Sequence, residues 1–83
     1  MLFLITQDHA PEDCPLEDGG TEALHADPKS VAGLRVVAAY GAFAEHVLYF
    51  LVEADDQESI TRFLLPAFRR AHASVSPVTQ FMG

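Results

Sequence analysis

The pattern of hydrophobic and polar positions orders the chain as strand, helical region, strand, strand, helix, strand. Leu2–Gln7 is apolar on both alternating faces, which predicts a central strand. Arg35–Tyr40 and His46–Ala54 are two further β-rich runs separated by a short loop, and they predict an antiparallel hairpin. Val75–Met82 predicts the last strand, placed at an edge or carrying a bulge because Pro77 lacks a backbone N–H group.

Helical spacing of apolar residues is clear in one segment only. Asp55 and Asp56 suit a helix N-terminus, where carboxylates satisfy free N–H groups. The residues predicted to form the buried face of this helix are Ile60, Phe63, Leu64, Ala67, Phe68 and Ala71. Pro66 removes one backbone donor and predicts a kink. Leu16–Gly33 has mixed signals, and we interpret it as a helix broken into two pieces.

The resulting order of elements, βαββαβ, is that of the ferredoxin-like fold. Residues 1–83 are therefore predicted to form a single α+β domain with a four-stranded antiparallel sheet in the spatial order 4-1-3-2. Both helices would cover one face of this sheet and leave the other bare. The third strand is apolar on both faces, so the bare face would promote aggregation unless a second copy covered it. We predict a homodimer formed through the sheet face.

Composition narrows the class of protein. A chain of 83 residues is near the size at which one hydrophobic core is only marginally sufficient, so a metal ion or partner subunit would add stability. The net charge of −7 leaves no basic surface for phosphates, which argues against nucleic acid and anionic membranes as partners. The opening apolar run, Met1–Ile5, is too short for a signal peptide or membrane span, and we predict a cytoplasmic location.

Candidate chemistry concentrates in the stretch HAPEDCP, which directly follows the first predicted strand. In the predicted topology the end of this strand lies beside the start of the third strand, so His9 and His46 share one sheet edge, and Cys14 lies in the loop that leaves it. Zinc and copper prefer imidazole nitrogen and thiolate sulfur as ligands. The sequence therefore predicts a metal site formed by these three residues, with Glu12 or Glu45 as a carboxylate that holds an imidazole tautomer.

Each candidate residue also has a purely structural interpretation. A histidine at a strand end often bonds only a loop carbonyl, and Cys14 could be a small buried apolar group. As the only cysteine it cannot form an internal disulfide, so it is a thiol, a ligand or half of an intermolecular bridge. Asp55 and Asp56 are better explained as a helix cap than as a catalytic pair. His25 and His72 are predicted to face solvent.

Three stretches of the chain, TQDHAPEDCP, VVAAYGAFAEHVLYFLVEADD and FLLPAF, resemble a family of short prokaryotic proteins of unknown function. The resemblance extends over nearly the whole chain and is weakest before Gly33. It implies a ferredoxin-like, dimeric α/β-barrel fold with an H-x-P-E-x-C-P signature near the N-terminus, and it implies no chemistry. The positions that it marks are His9, Pro11, Glu12, Cys14, Pro15, Glu45 and His46.

Three classes of function fit these observations. The first is a small homodimeric protein that binds or senses zinc or copper through His9, Cys14 and His46. The second is an enzyme or haem-binding protein of the dimeric α/β-barrel kind, in which Cys14 would supply a thiolate to haem iron. The third is a non-catalytic oligomeric regulatory module. The sequence contains no phosphate-binding loop, nucleophile elbow or zinc-protease helix.

Overall fold

Four antiparallel strands form one sheet in the computed structural model, which describes residues 1–83. The strands are β1 (Leu2–Asp8), β2 (Leu34–Ala42), β3 (Val47–Ala54) and β4 (His72–Pro77). They lie side by side in the order β2-β3-β1-β4, and each neighbouring pair is antiparallel. The protein therefore has the predicted α+β class, and its strand order is 4-1-3-2 when read from the β4 edge.

The last strand begins and ends earlier than the predicted range, Val75–Met82. It pairs with β1 alone, from His72 opposite Asp8 to Pro77 opposite Phe3. One more backbone bond, from Val78 N–H to the Leu2 carbonyl oxygen at 2.9 Å, closes this ladder where β1 begins. The residues that follow have no strand to pair with, and Phe81 and Met82 are 90% and 79% exposed.

The structure contains one α-helix, α1 (Gln57–Leu64), which begins where the acidic pair predicted. Asp56 is its N-cap, and its carboxylate accepts a hydrogen bond of 2.9 Å from the Ser59 N–H group. This bond, with a second one from the Ser59 hydroxyl group, lowers the pKa of Asp56 from its ordinary value of 3.8. No helix in the structure has the length and apolar character needed to cross a bilayer.

The capping bond predicts a specific response to acid when Asp56→Asn is compared with the wild type. Asparagine keeps the acceptor oxygen but lacks the charge, so the wild type should be more stable well above pH 3.8. Because the pKa of Asp56 is lower in the folded state, this advantage is lost as the pH falls from 3.8 through the folded-state pKa. Thermal unfolding of both proteins between about pH 6 and pH 2 measures the gap. A gap that stays constant over this range would contradict the assigned role of the charge.

The segment after α1 contradicts one predicted core position. The α-helix ends at Leu64 and a 3₁₀ turn follows over Leu65–Ala67, with Pro66 inside it. The change from about 3.6 to about 3.0 residues per turn rotates the following side chains relative to the helix face. Phe68 is therefore 56% exposed rather than buried, whereas Phe63, inside α1, is fully buried.

No α-helix forms over Leu16–Gly33, so the prediction of a broken helix there was wrong. The chain between β1 and β2 instead makes four short 3₁₀ turns, over Pro11–Asp13, Pro15–Glu17, Gly20–Leu24 and Pro28–Ser30. Three of them begin with proline. Proline suits the first position of a helical turn, but it prevents the turn from extending toward the N-terminus. Gly19 and Gly20 have positive φ values of 110° and 68°, a conformation that interrupts helical propagation.

One face of the sheet packs against α1 and against the turns Gly20–Leu24 and Leu65–Ala67. The layer between them is the hydrophobic core. Its buried members are Phe3, Ile5, Leu24, Val31, Leu48, Phe50, Val52, Ala54, Ile60, Phe63, Leu64 and Ala67. The opposite face carries no helix. We call it the outer face, defined by the side chains of Leu4, Ala38, Tyr40, Ala42, Val47, Tyr49 and Leu51.

His25 is part of this layer and does not simply face solvent, which corrects the prediction. Its ring stacks on Phe63 at a centroid distance of 5.1 Å and meets the edge of Phe50 at 5.4 Å. Its Nδ1 atom lies 2.7 Å from the Ala26 carbonyl oxygen. His72 is exposed as predicted, with its side chain 77% accessible and 3.5 Å from the Asp8 carboxylate.

Candidate metal centre

Two histidines meet where β1 ends and β3 begins. The two strands pair as far as Asp8 opposite Val47, so His9 and His46 are the next residues on either side. The backbone N–H group of His9 donates a hydrogen bond of 3.1 Å to the His46 carbonyl oxygen. His46 adopts the left-handed conformation, with φ 58° and ψ 42°, directly after the 3₁₀ turn Phe43–Glu45. The sheet register and this turn therefore bring both imidazoles to one end of the sheet.

The donor atoms of His9, Cys14 and His46 all lie within 4.8 Å of one another. His9 Nε2 and His46 Nδ1 are 3.2 Å apart, and the ring planes are inclined by 80°. All three residues are partly buried. The side chains that the sequence predicted to share one edge of the sheet thus form a single cluster, which we call the His/Cys/His cluster.

Cys14 reaches the cluster because the loop after β1 is folded by two consecutive turns. Its backbone N–H group donates to the Pro11 carbonyl oxygen at 3.2 Å, and the residue ends one 3₁₀ turn and precedes the next. Arg70, in the segment after α1, forms hydrogen bonds with the loop that carries Cys14. Its Nε atom donates to the Asp13 carbonyl oxygen at 3.2 Å, and its guanidinium group lies 3.3 Å from the Asp18 carboxylate.

Arg70 is a positioning residue that the sequence did not reveal. A basic residue near the end of a helix is explained by the helix dipole alone, and nothing in its local pattern indicates a partner on a distant loop. The contacts of Arg70 span 52 and 57 residues. Only the folded chain brings them together.

The environment of His9 favours the neutral imidazole. Burial lowers its pKa from 6.5, and the neighbouring His46 and Arg70 lower it further because they disfavour a second positive charge. The carboxylates of Asp13 and Asp8 act in the opposite direction but do not reverse the shift. Neutral imidazole is the form that binds metal ions, so His9 needs little proton release to act as a ligand near neutral pH.

Neither predicted carboxylate partner is bonded to the imidazoles. His9 Nδ1 is buried without a hydrogen-bond partner, and the only side-chain bond between the rings joins His9 Nε2 to His46 Nδ1. Glu12 and Glu45 are both exposed. Neither glutamate therefore fixes the tautomer of His9 or His46 by a hydrogen bond.

A cavity of about 430 Å³ opens beside the cluster, and all three donor residues line it. The rest of its wall is mainly apolar. The apolar lining residues are Pro15, Leu16, Leu24, Phe43, Val47 and Leu48. A cavity of this size, with a few convergent polar groups in an apolar wall, is typical of small-molecule sites.

Gln7 fixes one wall of this cavity to the sheet. Its side chain is 1% exposed, and its Nε2 atom donates a hydrogen bond of 2.9 Å to the Leu24 carbonyl oxygen. The bond joins β1 to the turn Gly20–Leu24, which carries Gly20, Thr21 and Leu24 into the cavity lining. The only signal of this role in the sequence is a glutamine that shares a strand face with Phe3 and Ile5.

Comparisons of the chain with protein-family models, with curated proteins and with solved structures found no match. The resemblance to short prokaryotic proteins, carried by the H-x-P-E-x-C-P signature, stays a prediction. The functional argument therefore rests on the geometry of the cluster and on the cavity beside it.

Proposed function

We propose that the protein binds one divalent transition-metal ion, zinc before copper, through His9, Cys14 and His46. The observation that carries the proposal is the convergence of three donors within 4.8 Å. Two nitrogens that each lie about 2.0–2.1 Å from a tetrahedral zinc ion are separated by about 3.3 Å. The separation of His9 Nε2 and His46 Nδ1, 3.2 Å, is close to this value.

The charges around the cluster support a bound cation. Glu12 and Asp13 precede Cys14 in the chain, so a free thiolate would lie next to negative charge. A divalent metal ion at the three donors would bind the thiolate and offset these neighbouring negative charges. The net charge of −7 adds a general attraction for cations.

Copper is the second candidate because two histidines and one cysteine are also the equatorial ligands of blue-copper sites. Such sites commonly add a weak axial methionine. Neither Met1 nor Met82 lines the cavity beside the three donors, which favours zinc. Haem is less well supported. A haem group would use only the Cys14 thiolate, and the convergence of both imidazoles on the same point would stay unexplained.

Metal stoichiometry with a thiol assay tests the proposal, because Cys14 is the only cysteine and reports on this site alone. After dialysis against zinc and removal of excess metal, we expect one ion per chain. The thiol should then react slowly with a disulfide reagent and regain its reactivity when a chelator removes the metal. Thiol reactivity that zinc does not change would contradict the proposal.

A separate proposal concerns the quaternary structure: we infer a ferredoxin-like domain that forms a homodimer of the α/β-barrel type through the outer face. The strand order supports the domain assignment, although 3₁₀ turns replace its first helix. The outer face carries exposed apolar and aromatic side chains, with Tyr40 70% and Leu4 38% exposed. A twofold axis would place this patch against itself, and the small core gains from the added burial.

A charge placed on the outer face tests the dimer. Tyr40 lies opposite Tyr49 on this face, so Tyr40→Glu should bury a carboxylate in the interface and dissociate the dimer. Thr61→Glu adds the same charge on α1, which packs on the opposite face of the sheet, and should leave the dimer intact. Sedimentation equilibrium should give twice the chain mass of 9.1 kDa for the wild type. A wild-type monomer at micromolar concentration would overturn the inference.

A further inference from the structure

We propose that the cavity beside the His/Cys/His cluster binds a small, largely apolar molecule with one metal-coordinating head group. This inference rests on the proposed metal site and adds the class of ligand that the site takes. The head group would occupy the coordination position that the protein leaves open, and the apolar body would fill the cavity.

The coordination number gives the first argument. Three protein donors leave a fourth position for water or an exogenous ligand in a tetrahedral zinc site, as in catalytic rather than structural zinc centres. His9, Cys14 and His46 all line the same cavity, so an ion that they share faces its interior. A molecule in the cavity therefore has direct access to the open position.

The lining of the cavity gives the second argument. Six of its eleven residues are hydrophobic, and none is lysine, arginine, aspartate or glutamate. Apart from the three donors, Thr21 offers the only polar side chain. A sugar or a nucleotide needs several hydrogen-bonding or charged partners, which this wall does not supply. An apolar molecule with a single polar end matches both the wall and the one polar corner.

Two residues on the rim of the cavity define how the ligand enters. Leu16 and Phe43 are 81% and 69% exposed although both line the cavity. The Phe43 ring lies against Gly41, where an added Cβ atom would be only 2.4 Å from the ring. Exposed apolar side chains at an apolar opening lose contact with water when a ligand binds, which adds to affinity.

Cobalt-loaded full-length protein tests the proposal with two probes that share one head group, imidazole and 4-phenylimidazole. Coordination of either probe changes the visible absorption of the cobalt ion, so both affinities can be measured at the same site. We expect 4-phenylimidazole to bind at least tenfold more tightly than imidazole, because its phenyl ring fills apolar space. Equal affinities for the two probes would overturn the proposal for the cavity.

A matched pair of variants locates the phenyl ring. Thr21 and Thr61 are both exposed threonines, but only Thr21 lines the cavity. Thr21→Trp should fill the cavity and weaken the binding of 4-phenylimidazole at least tenfold. Thr61→Trp, on α1, should leave this affinity unchanged. If Thr21→Trp misfolds, the proposal is still tested, because the two probes are compared on the wild-type protein.

The cobalt spectrum also separates the two proposals. A thiolate-to-cobalt charge-transfer band, with equal affinities for imidazole and 4-phenylimidazole, would overturn the ligand class and leave the metal site standing. Absence of the band would overturn the metal site, and the ligand proposal with it. A band together with the tenfold preference supports both.

Discussion

If the proposed site binds zinc, Cys14→Ser should lower the affinity for zinc by more than about 100-fold, since loss of even a group that only supports a metal ligand costs about 10–100-fold. His9→Ala and His46→Ala should have effects of the same order, because each removes one of only three donors. Competition with a chromophoric chelator measures these affinities. The folded state of each variant is checked by circular dichroism, because His9 and His46 lie at the sheet end.

His72→Ala is the matched control for these variants. This histidine is also near the end of β1, but its side chain is 77% accessible and lies near Asp8 rather than in the cluster. Its replacement should leave the affinity unchanged. If His72→Ala weakened zinc binding as much as His9→Ala, or if all three cluster variants bound zinc like the wild type, the ligand assignment would be wrong.

Phe63→Ala should lower the free energy of unfolding by about 3–5 kcal/mol, the usual cost of removing a fully buried phenylalanine ring. The ring is 0% exposed and meets Phe50 edge to face, with centroids 5.2 Å apart. The His25 ring stacks on its other side. Domains of this size have a total stability near the lower end of about 5–15 kcal/mol, so the variant would keep only a small part of its stability.

Phe68→Ala is the control for Phe63→Ala, and it tests the corrected end of α1. Phe68 is 56% exposed, so its truncation should cost no more than about 1 kcal/mol of unfolding free energy. Urea denaturation followed by circular dichroism measures both variants. Equal losses for the two would contradict the burial that separates them.

The predictable part of the fold is the part with simple periodicity. β1, β2 and β3 follow from alternating and continuous apolar runs, and the start of α1 follows from the capping carboxylate of Asp56. The meeting of His9 and His46 was also predictable, because antiparallel pairing of β1 with β3 fixes which residues are opposite each other, whereas Cys14 joins them through two turns of the loop after β1. A register of this kind needs only the strand order and the hydrophobic pattern.

The errors occur where local pattern and tertiary contacts disagree. Prolines and left-handed glycines hold the segment before β2 in 3₁₀ turns, although its apolar spacing resembles a helix. Phe68 and His25 exchange their predicted environments, because the turn at Pro66 rotates one side chain outward and Phe63 provides a stacking surface for the other. The anchoring role of Arg70 depends on contacts across more than fifty residues.

X-ray absorption spectroscopy of the zinc-loaded protein tests the central claim most directly, because it counts the atoms bound to the metal ion. We predict one sulfur at about 2.3 Å and two imidazole nitrogens at about 2.0–2.1 Å, with a fourth light atom from water. The sulfur contribution should vanish in Cys14→Ser, the variant that removes the only cysteine. A wild-type shell that contains only nitrogen and oxygen would contradict the claim that His9, Cys14 and His46 share one ion.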